Sequence, residues 1–164
     1  MHTITSKVVS VSAALVVGGA LVAGSLGSSA NASPPSADLG VTGFVAGSER
    51  SVDSSHPVVL VFSLRNNGPS TEDSSADMAY TSVRNGTVTD QLCVFPDGSS
   101  FNADSPYCEF GQLRPGQVAH MTLIVQPRSD VSGVRLSARV CSSNESGIPD
   151  PVSSNDCVTE SVRY

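Results

Sequence analysis

The sequence predicts an all-β fold, an antiparallel β-sandwich of about seven to eight strands held by two disulfides. Three observations lead there. Short runs of Val, Leu and Ile alternate with polar residues at a period of two, with no window of helical periodicity. Strong turn signals, among them Asn66-Asn67-Gly68-Pro69, Asn85-Gly86 and Pro96-Asp97-Gly98, punctuate those runs. Four cysteines, an even number, all lie in the second half of a chain that opens like an exported one.

The opening segment has the three parts of a secretory signal. His2 and Lys7 make a short polar, basic start, Val8 to Val22 is free of charge, and small residues end in Ala30-Asn31-Ala32. Signal peptidase accepts only small side chains at such an A-x-A site, so cleavage is expected between Ala32 and Ser33. The apolar run is broken by Ser12, Gly18 and Gly19 and falls short of the ~20 residues of a spanning helix. No second long apolar stretch follows, and the first cysteine, Cys93, is far from any acylation position. A freely secreted product is expected, with no membrane span after cleavage.

Residues 33–36 read as a short Pro/Ser leader and 37–164 as one domain. Removal of 1–32 leaves 132 residues with eight Arg, no Lys and fifteen acidic side chains, a net charge of −7. An acidic domain lacks the basic footprint that displaces counterions from phosphate, so nucleic acid is excluded as a partner. The wealth of Ala, Gly, Val and Arg with no Lys suggests a GC-rich bacterial source.

Leu39, Val41 and Val45 mark the first strand. The strongest strand is Pro57 to Asn66, with Val58, Leu60, Phe62 and Leu64 on one face, ended by a glycine and a proline that cannot continue a ladder. Ala76 to Arg84 and Thr87 to Phe95 flank Asn85-Gly86, which predicts a tight hairpin. A short strand around Tyr107 to Phe110 leads to Arg114-Pro115-Gly116, placed for a type II turn. Val118 to Gln126 puts Ala119, Met121, Leu123 and Val125 inward and His120, Thr122 and Ile124 outward. Val134, Leu136, Ala138 and Val140 supply another inward face, and Asp156 to Arg163 closes the chain.

Zinc wants short Cys-x₂₋₄-Cys pairs, whereas Cys93 and Cys108 are separated by 15 positions and Cys141 and Cys157 by 16. Disulfides are expected, paired locally as Cys93–Cys108 and Cys141–Cys157, because each pair lies on strands that the turns make neighbours. A core with eight aromatics and no Trp is light. Two closed loops of this length each add ~3 kcal/mol in the chain-entropy account.

The residues for catalysis are not assembled. There is no G-x-S-x-G elbow, His56 stands beside Pro57 at a strand start, and His120 lies on the solvent parity of its strand. Neither comes with the positioned partner that a general base needs. Asp150, Asn155 and Asp156 carry oxygens suited to Ca²⁺, yet their spacing matches no EF-hand loop and reads as turn chemistry. No metal, no cofactor and no enzymatic activity are expected.

Four segments carry a family resemblance. Ala37-Asp38-Leu39-Gly40-Val41, then Phe62 through Ser70 with its Asn66-Asn67-Gly68-Pro69-Ser70, then Cys108 followed by Phe110 to Gly116, then Pro149-Asp150-Pro151 with Ser154-Asn155-Asp156 occur in order. They resemble the domain-of-unknown-function-eleven group of bacterial and archaeal surface repeats, related to the cell-adhesion domains called CARDB. The resemblance implies an immunoglobulin-like sandwich with a structural or adhesive role outside the cell and no catalytic residues. The sequence departs from that group in holding a single copy and in carrying Cys141 and Cys157.

Two functions follow as expectations. One is a secreted, non-catalytic structural or adhesion-type module with a cell-surface or extracellular partner, an anionic wall polymer being the candidate. The other is a secreted protease inhibitor that presents the loop between Cys141 and Cys157, with Gly147-Ile148-Pro149-Asp150 as the reactive segment. Strand parity puts Arg135, Arg139 and Cys141 outward; a Cys141–Cys157 bridge sets Arg135 opposite Arg163, so Arg135, Arg139 and Arg163 form a candidate anion-binding patch. The same parity forces Glu160 inward, which suggests a bulge in the last strand. The secreted form is expected to start at Ser33; intact-mass measurement of culture supernatant checks this, and material retaining residues before Ala30 contradicts it.

Overall fold

The computed structural model describes residues 35–46, 55–72, 75–144 and 147–164. The expected signal segment, 1–32, and the start of the leader lie outside the described residues. Nine strands are present among those described: β1 (Leu39–Ala46), β2 (Val58–Asn66), β3 (Ala76–Arg84), β4 (Gly86–Val94), β5 (Ser100–Asn102), β6 (Tyr107–Glu109), β7 (Val118–Pro127), β8 (Arg135–Asn144) and β9 (Cys157–Arg163). They form two antiparallel sheets, a five-stranded one in the order β1-β2-β7-β4-β5 and a four-stranded one in the order β6-β3-β8-β9. The chain is an all-β antiparallel sandwich with two disulfides, as the alternating pattern predicts.

The core lies where alternation puts it. Val58, Leu60, Phe62 and Leu64 of β2 and Ala119, Met121, Leu123 and Val125 of β7 pack across the sheets against Ala76, Met78, Leu136, Ala138 and Val140. Val134 precedes its strand and is half-buried. The type II turn forms as expected: Gly116 has φ +80°, and the Gln117 N–H donates to the Arg114 carbonyl at 3.0 Å. The turn after β4 also forms, Gly98 donating to the Phe95 carbonyl at 3.0 Å. It leads into β5, three exposed residues whose lack of apolar alternation hides them from pattern reading.

Asn85-Gly86 does not make a hairpin. β3 and β4 belong to opposite sheets, so the two residues carry the chain across the sandwich. Asn85 takes the left-handed conformation, φ 57°, and its side chain donates to the Arg135 carbonyl at 2.8 Å. Gly86 serves close approach: a Cβ there would sit 2.7 Å from a methyl of Val125 and 2.9 Å from one of Leu136. The dipeptide supplies the turn chemistry of a hairpin, but the core claims the missing side chain.

The crossing explains the first disulfide. Cys93 on β4 and Cys108 on β6 are both fully buried, with Cα atoms 5.7 Å apart, and the bridge joins the two sheets through the core. The expected pairing is found, although its strands are not neighbours within a sheet. Buried Gln91 turns its amide onto the bridge, 3.3 Å from the Cys108 sulfur. Phe95 packs edge-on against Phe110 beside it, ring centroids 6.0 Å apart. Cys141 and Cys157 pair across β8 and β9, as expected.

Because a Cβ at position 86 would run into two core methyls, Gly86→Ala should destabilise the fold by about 1–3 kcal/mol, the range for overpacking. Chemical denaturation checks it. A variant as stable as the wild type would mean that the crossing is looser than described.

Candidate functional site

The outward face of the four-stranded sheet carries four of the seven described arginines. On β8, Leu136, Ala138 and Val140 point into the core, which turns Arg135, Ser137, Arg139 and Cys141 outward. The β8–β9 register is unbroken from Arg135↔Arg163 through Arg139↔Thr159 to Cys141↔Cys157. Arg135, Arg139 and Arg163 therefore share one face, as parity predicts, with Arg135 and Arg163 side by side.

The bulge expected in the last strand is absent; in this sheet the irregularity lies in β3, between Tyr80 and Ser82, and the other sheet has one in β4, between Val88 and Asp90. Glu160 stands opposite Ala138 with inward parity and is half-buried. It needs no bulge because Gly43 on β1 leaves room: a Cβ on Gly43 would lie 2.7 Å from the Glu160 Cγ.

The β3 bulge has a second effect, which sequence reading misses. It resets parity so that Arg84 pairs with Ser137 and Ser82 with Arg139. Arg84 thereby joins the outward face, one row from Arg135 and Arg163. With strands ~4.8 Å apart and outward positions ~6.8 Å apart, the four arginines rise from an area of roughly 14 Å by 10 Å. All four are exposed. Among the described residues the single ion pair is Arg128–Asp130, on a loop after β7; the Arg135 guanidinium donates to the Ser161 hydroxyl, at 3.1 Å.

The same face is polar in the other sense at its far end. Asp77 stands directly opposite Glu109, and Ala79 opposite Tyr107. Tyr107 is 50% exposed. Ser143 donates to the Asp77 carboxylate.

Asp38, Asp150, Asn155 and Asp156 meet at the end of the sandwich. The Asp150 carboxylate accepts the Leu39 N–H at 2.9 Å and the Val152 N–H at 2.8 Å. Asn155 donates to Asp38 at 2.7 Å. Asp156 has one buried carboxylate oxygen with no hydrogen-bond partner. Burial first, then the charges of Asp150 and Asp38, push its carboxyl above the ordinary value. No group of three His, Cys, Asp or Glu among the described residues has the arrangement to hold a metal ion. The oxygens of this corner chiefly fasten the 147–156 segment to β1.

His56 is exposed beside Ser55, 2.9 Å from its hydroxyl. His120 lies on the outward face of the five-stranded sheet, with its Nδ1 2.9 Å from the Ser63 hydroxyl. No described carboxylate joins that Ser–His pair. No helix among the described residues is long and apolar enough to cross a membrane.

No family model matches the sequence, and no curated protein does. Among solved structures, a similar chain is AvmM, described as catalysing macrocyclisation in alchivemycin A biosynthesis. It is 10% identical over 76% of this chain and 88% of that one, with a TM-score of 0.46. A likeness so distant carries no argument about function.

The raised Asp156 carboxyl gives a signed prediction. A folded-state value above the unfolded one means that the proton favours the fold, and that this contribution is lost as pH rises through the folded value. At neutral pH the ionised Asp156 works against Asp150 and Asp38. Asp156→Asn should therefore raise the thermal midpoint at pH 7, and the gain should vanish below the ordinary value of 3.8. Thermal scans at both pH values check this; an equal effect at each would point to packing instead.

Proposed function

We propose that the chain is a secreted, non-catalytic binding module of the immunoglobulin-like surface-repeat kind, which holds an anionic polymer of the cell surface on its arginine-bearing face. One observation carries the reading. A domain of net charge −7 sets Arg84, Arg135, Arg139 and Arg163, half of its arginines, on a single sheet face with no described carboxylate paired to them. Guanidinium groups are the cations best suited to carboxylate and phosphate, because their planar fork of donors binds two oxygens at once. Unpaired cations crowded on an otherwise acidic protein repel each other, a cost that an anionic ligand relieves.

The strand order supports the immunoglobulin-like part of the reading. β1-β2-β7-β4 against β3-β8-β9 is the order ABED against CFG of that sandwich class. The two disulfides suit an oxidising compartment. The loop between Cys141 and Cys157 favours the face over an inhibitor role, since Asp150 ties it to β1 rather than leaving it presented.

The test is binding to immobilised polyanions, polyphosphate and a polyuronate, over a salt series. The wild type should bind at low ionic strength and release as the Debye length shrinks toward ~8 Å near physiological salt. Replacing all four arginines by Ser should abolish binding while leaving stability within about 0.5 kcal/mol, as for ordinary surface changes. A wild type that ignores both polymers at low salt rules the reading out.

A further inference from the structure

The two disulfides sit in opposite surroundings. Cys93 and Cys108 are fully buried between the sheets. Cys141 and Cys157 join neighbouring antiparallel strands on the outward face of the four-stranded sheet and are half-buried. In the row that holds them, β3 sets Ala79 beside Cys141, and Tyr107 on β6 stands beyond it. On the other side Cys157 lies on β9, the edge of the sheet, with no further strand of that sheet beside it among the described residues. Within its row the bridge therefore has one methyl as its neighbour on one side and an open sheet edge on the other.

We propose that the Cys141–Cys157 bridge is a thiol-exchange site, opened in the folded domain by an anionic thiol that attacks the Cys157 sulfur. The attacking thiolate bonds to that sulfur, the bond between Cys157 and Cys141 breaks, and its electron pair leaves on Cys141. A second thiol then displaces the first from Cys157. Two cysteine thiols and one disulfide of the reagent result, the protons of the two reagent thiols ending on the cysteines. The fold does not need the bridge to hold the segment it closes. The Ser142 N–H donates to the Asp156 carbonyl at 2.7 Å, and the Ser142 hydroxyl to the Leu39 carbonyl at 3.2 Å. Asp150 and Asn155 fasten the rest of the segment to β1 and the residue before it, and β8 and β9 stay paired along the whole of β9. Exchange here requires no unfolding, whereas a reagent reaches Cys93–Cys108 only by parting the sheets.

Charge selects both the reagent and the sulfur. Arg139 stands two residues from Cys141 on β8, ~6.8 Å along the same face, opposite Thr159. Arg84 follows one row further and Arg135 with Arg163 in the row after that, roughly 14 and 20 Å from the bridge. The carboxylates of the face lie the other way: Asp77 is on β3, opposite Ser143, and Glu109 is on β6, and neither strand touches β9 in the sheet. The edge sulfur is thus on the cationic flank. In exchange the nucleophile is a thiolate, and a lower pKa of the departing thiol speeds its release. Arg139 favours both, drawing in a negatively charged thiol and stabilising the Cys141 thiolate as it leaves. The site depends on where the arginines stand, not on the polymer proposed for them.

The test uses the protein expressed from its full coding sequence and purified with both disulfides formed, under native conditions. Mercaptoethanesulfonate, mercaptoethanol and cysteamine (an anionic, a neutral and a cationic monothiol) are compared at equal thiolate concentration, with alkylation and peptide mapping as the readout. Cys141 and Cys157 should open at a rate proportional to thiol concentration, while Cys93 and Cys108 stay unlabelled. At about 10 mM salt, where the Debye length is ~30 Å, the anionic thiol should outpace the cationic one at least ~threefold, and the difference should fade by about 1 M salt. Arg139→Ser should shrink that difference, and Arg65→Ser, on the other sheet, should not. Labelling of all four cysteines together overturns the proposal, as does a rate that levels off with thiol concentration, since either means that the bridge opens through unfolding. A bridge that resists all three thiols, or opens equally fast with each, overturns it too.

Discussion

The sandwich is closed at one end by a single buried amide. Asn66 is fully buried at the end of β2. Its Nδ2 donates to the Ser70 and Leu113 carbonyls, each at 2.8 Å, and its Oδ1 accepts the Gly68 N–H at 2.9 Å. Its main chain engages Gly116 and Gln117 across the type II turn. An amide buried without partners costs roughly 1–3 kcal/mol for each unmet group, so no apolar residue of similar size could replace it. The bonding then spreads outward. Gly68 lies so close to β1 that a Cβ would meet the Asp38 nitrogen and the Ser36 oxygen at 2.6 Å. Asn67 donates to the Asp38 carbonyl at 2.6 Å, the Asp38 carboxylate accepts from Asn155, and the Asp150 carboxylate accepts from Leu39. Four segments distant in sequence become one hydrogen-bonded end cap.

Those four segments are the ones whose motifs lead to the expectation of a likeness to surface repeats. Their residues are spent on closing the end of the fold: Asp150 accepts two backbone N–H groups and Asn155 donates to Asp38, while one oxygen each of Asn155 and Asp156 is buried without a hydrogen-bond partner. This accounts for a motif-rich sequence that names no chemistry. It also puts the surfaces with unspent binding capacity elsewhere, on the outer faces of the two sheets.

What the sequence makes legible follows from what each device depends on. Alternation at period two is local, so the inward sets of β2, β7 and β8 can be read directly. The turns at Pro96-Asp97-Gly98 and Arg114-Pro115-Gly116 depend on their own φ angles and are equally plain. Asn85-Gly86 is different: its turn chemistry is local, but whether the chain returns within a sheet or crosses to the other depends on Val125 and Leu136, some forty to fifty residues away. The bulge in β3 has no local signal either, and Arg84 cannot be assigned to the arginine face without it. β5 exists because β4 offers it an edge. Glu160 looks like a fault in β9 until Gly43, on the opposite sheet, is seen to vacate its space.

The two outer faces have opposite characters, and the thin core explains why both can be tolerated. Val, Leu and Met fill the interior with Phe62 and Phe110 as its buried aromatics, and the buried bridge between Cys93 and Cys108 ties the two sheets together. Stability held in a covalent cross-link and a hydrogen-bonded end cap does not require the outer surfaces to be optimised for it. One sheet can then carry like charges side by side, Arg135 against Arg163, which lowers stability slightly. The other can leave Phe44 more than half exposed among half-buried valines. Crowded like charge is unfavourable for an isolated domain, and it becomes favourable once that face meets an anionic partner.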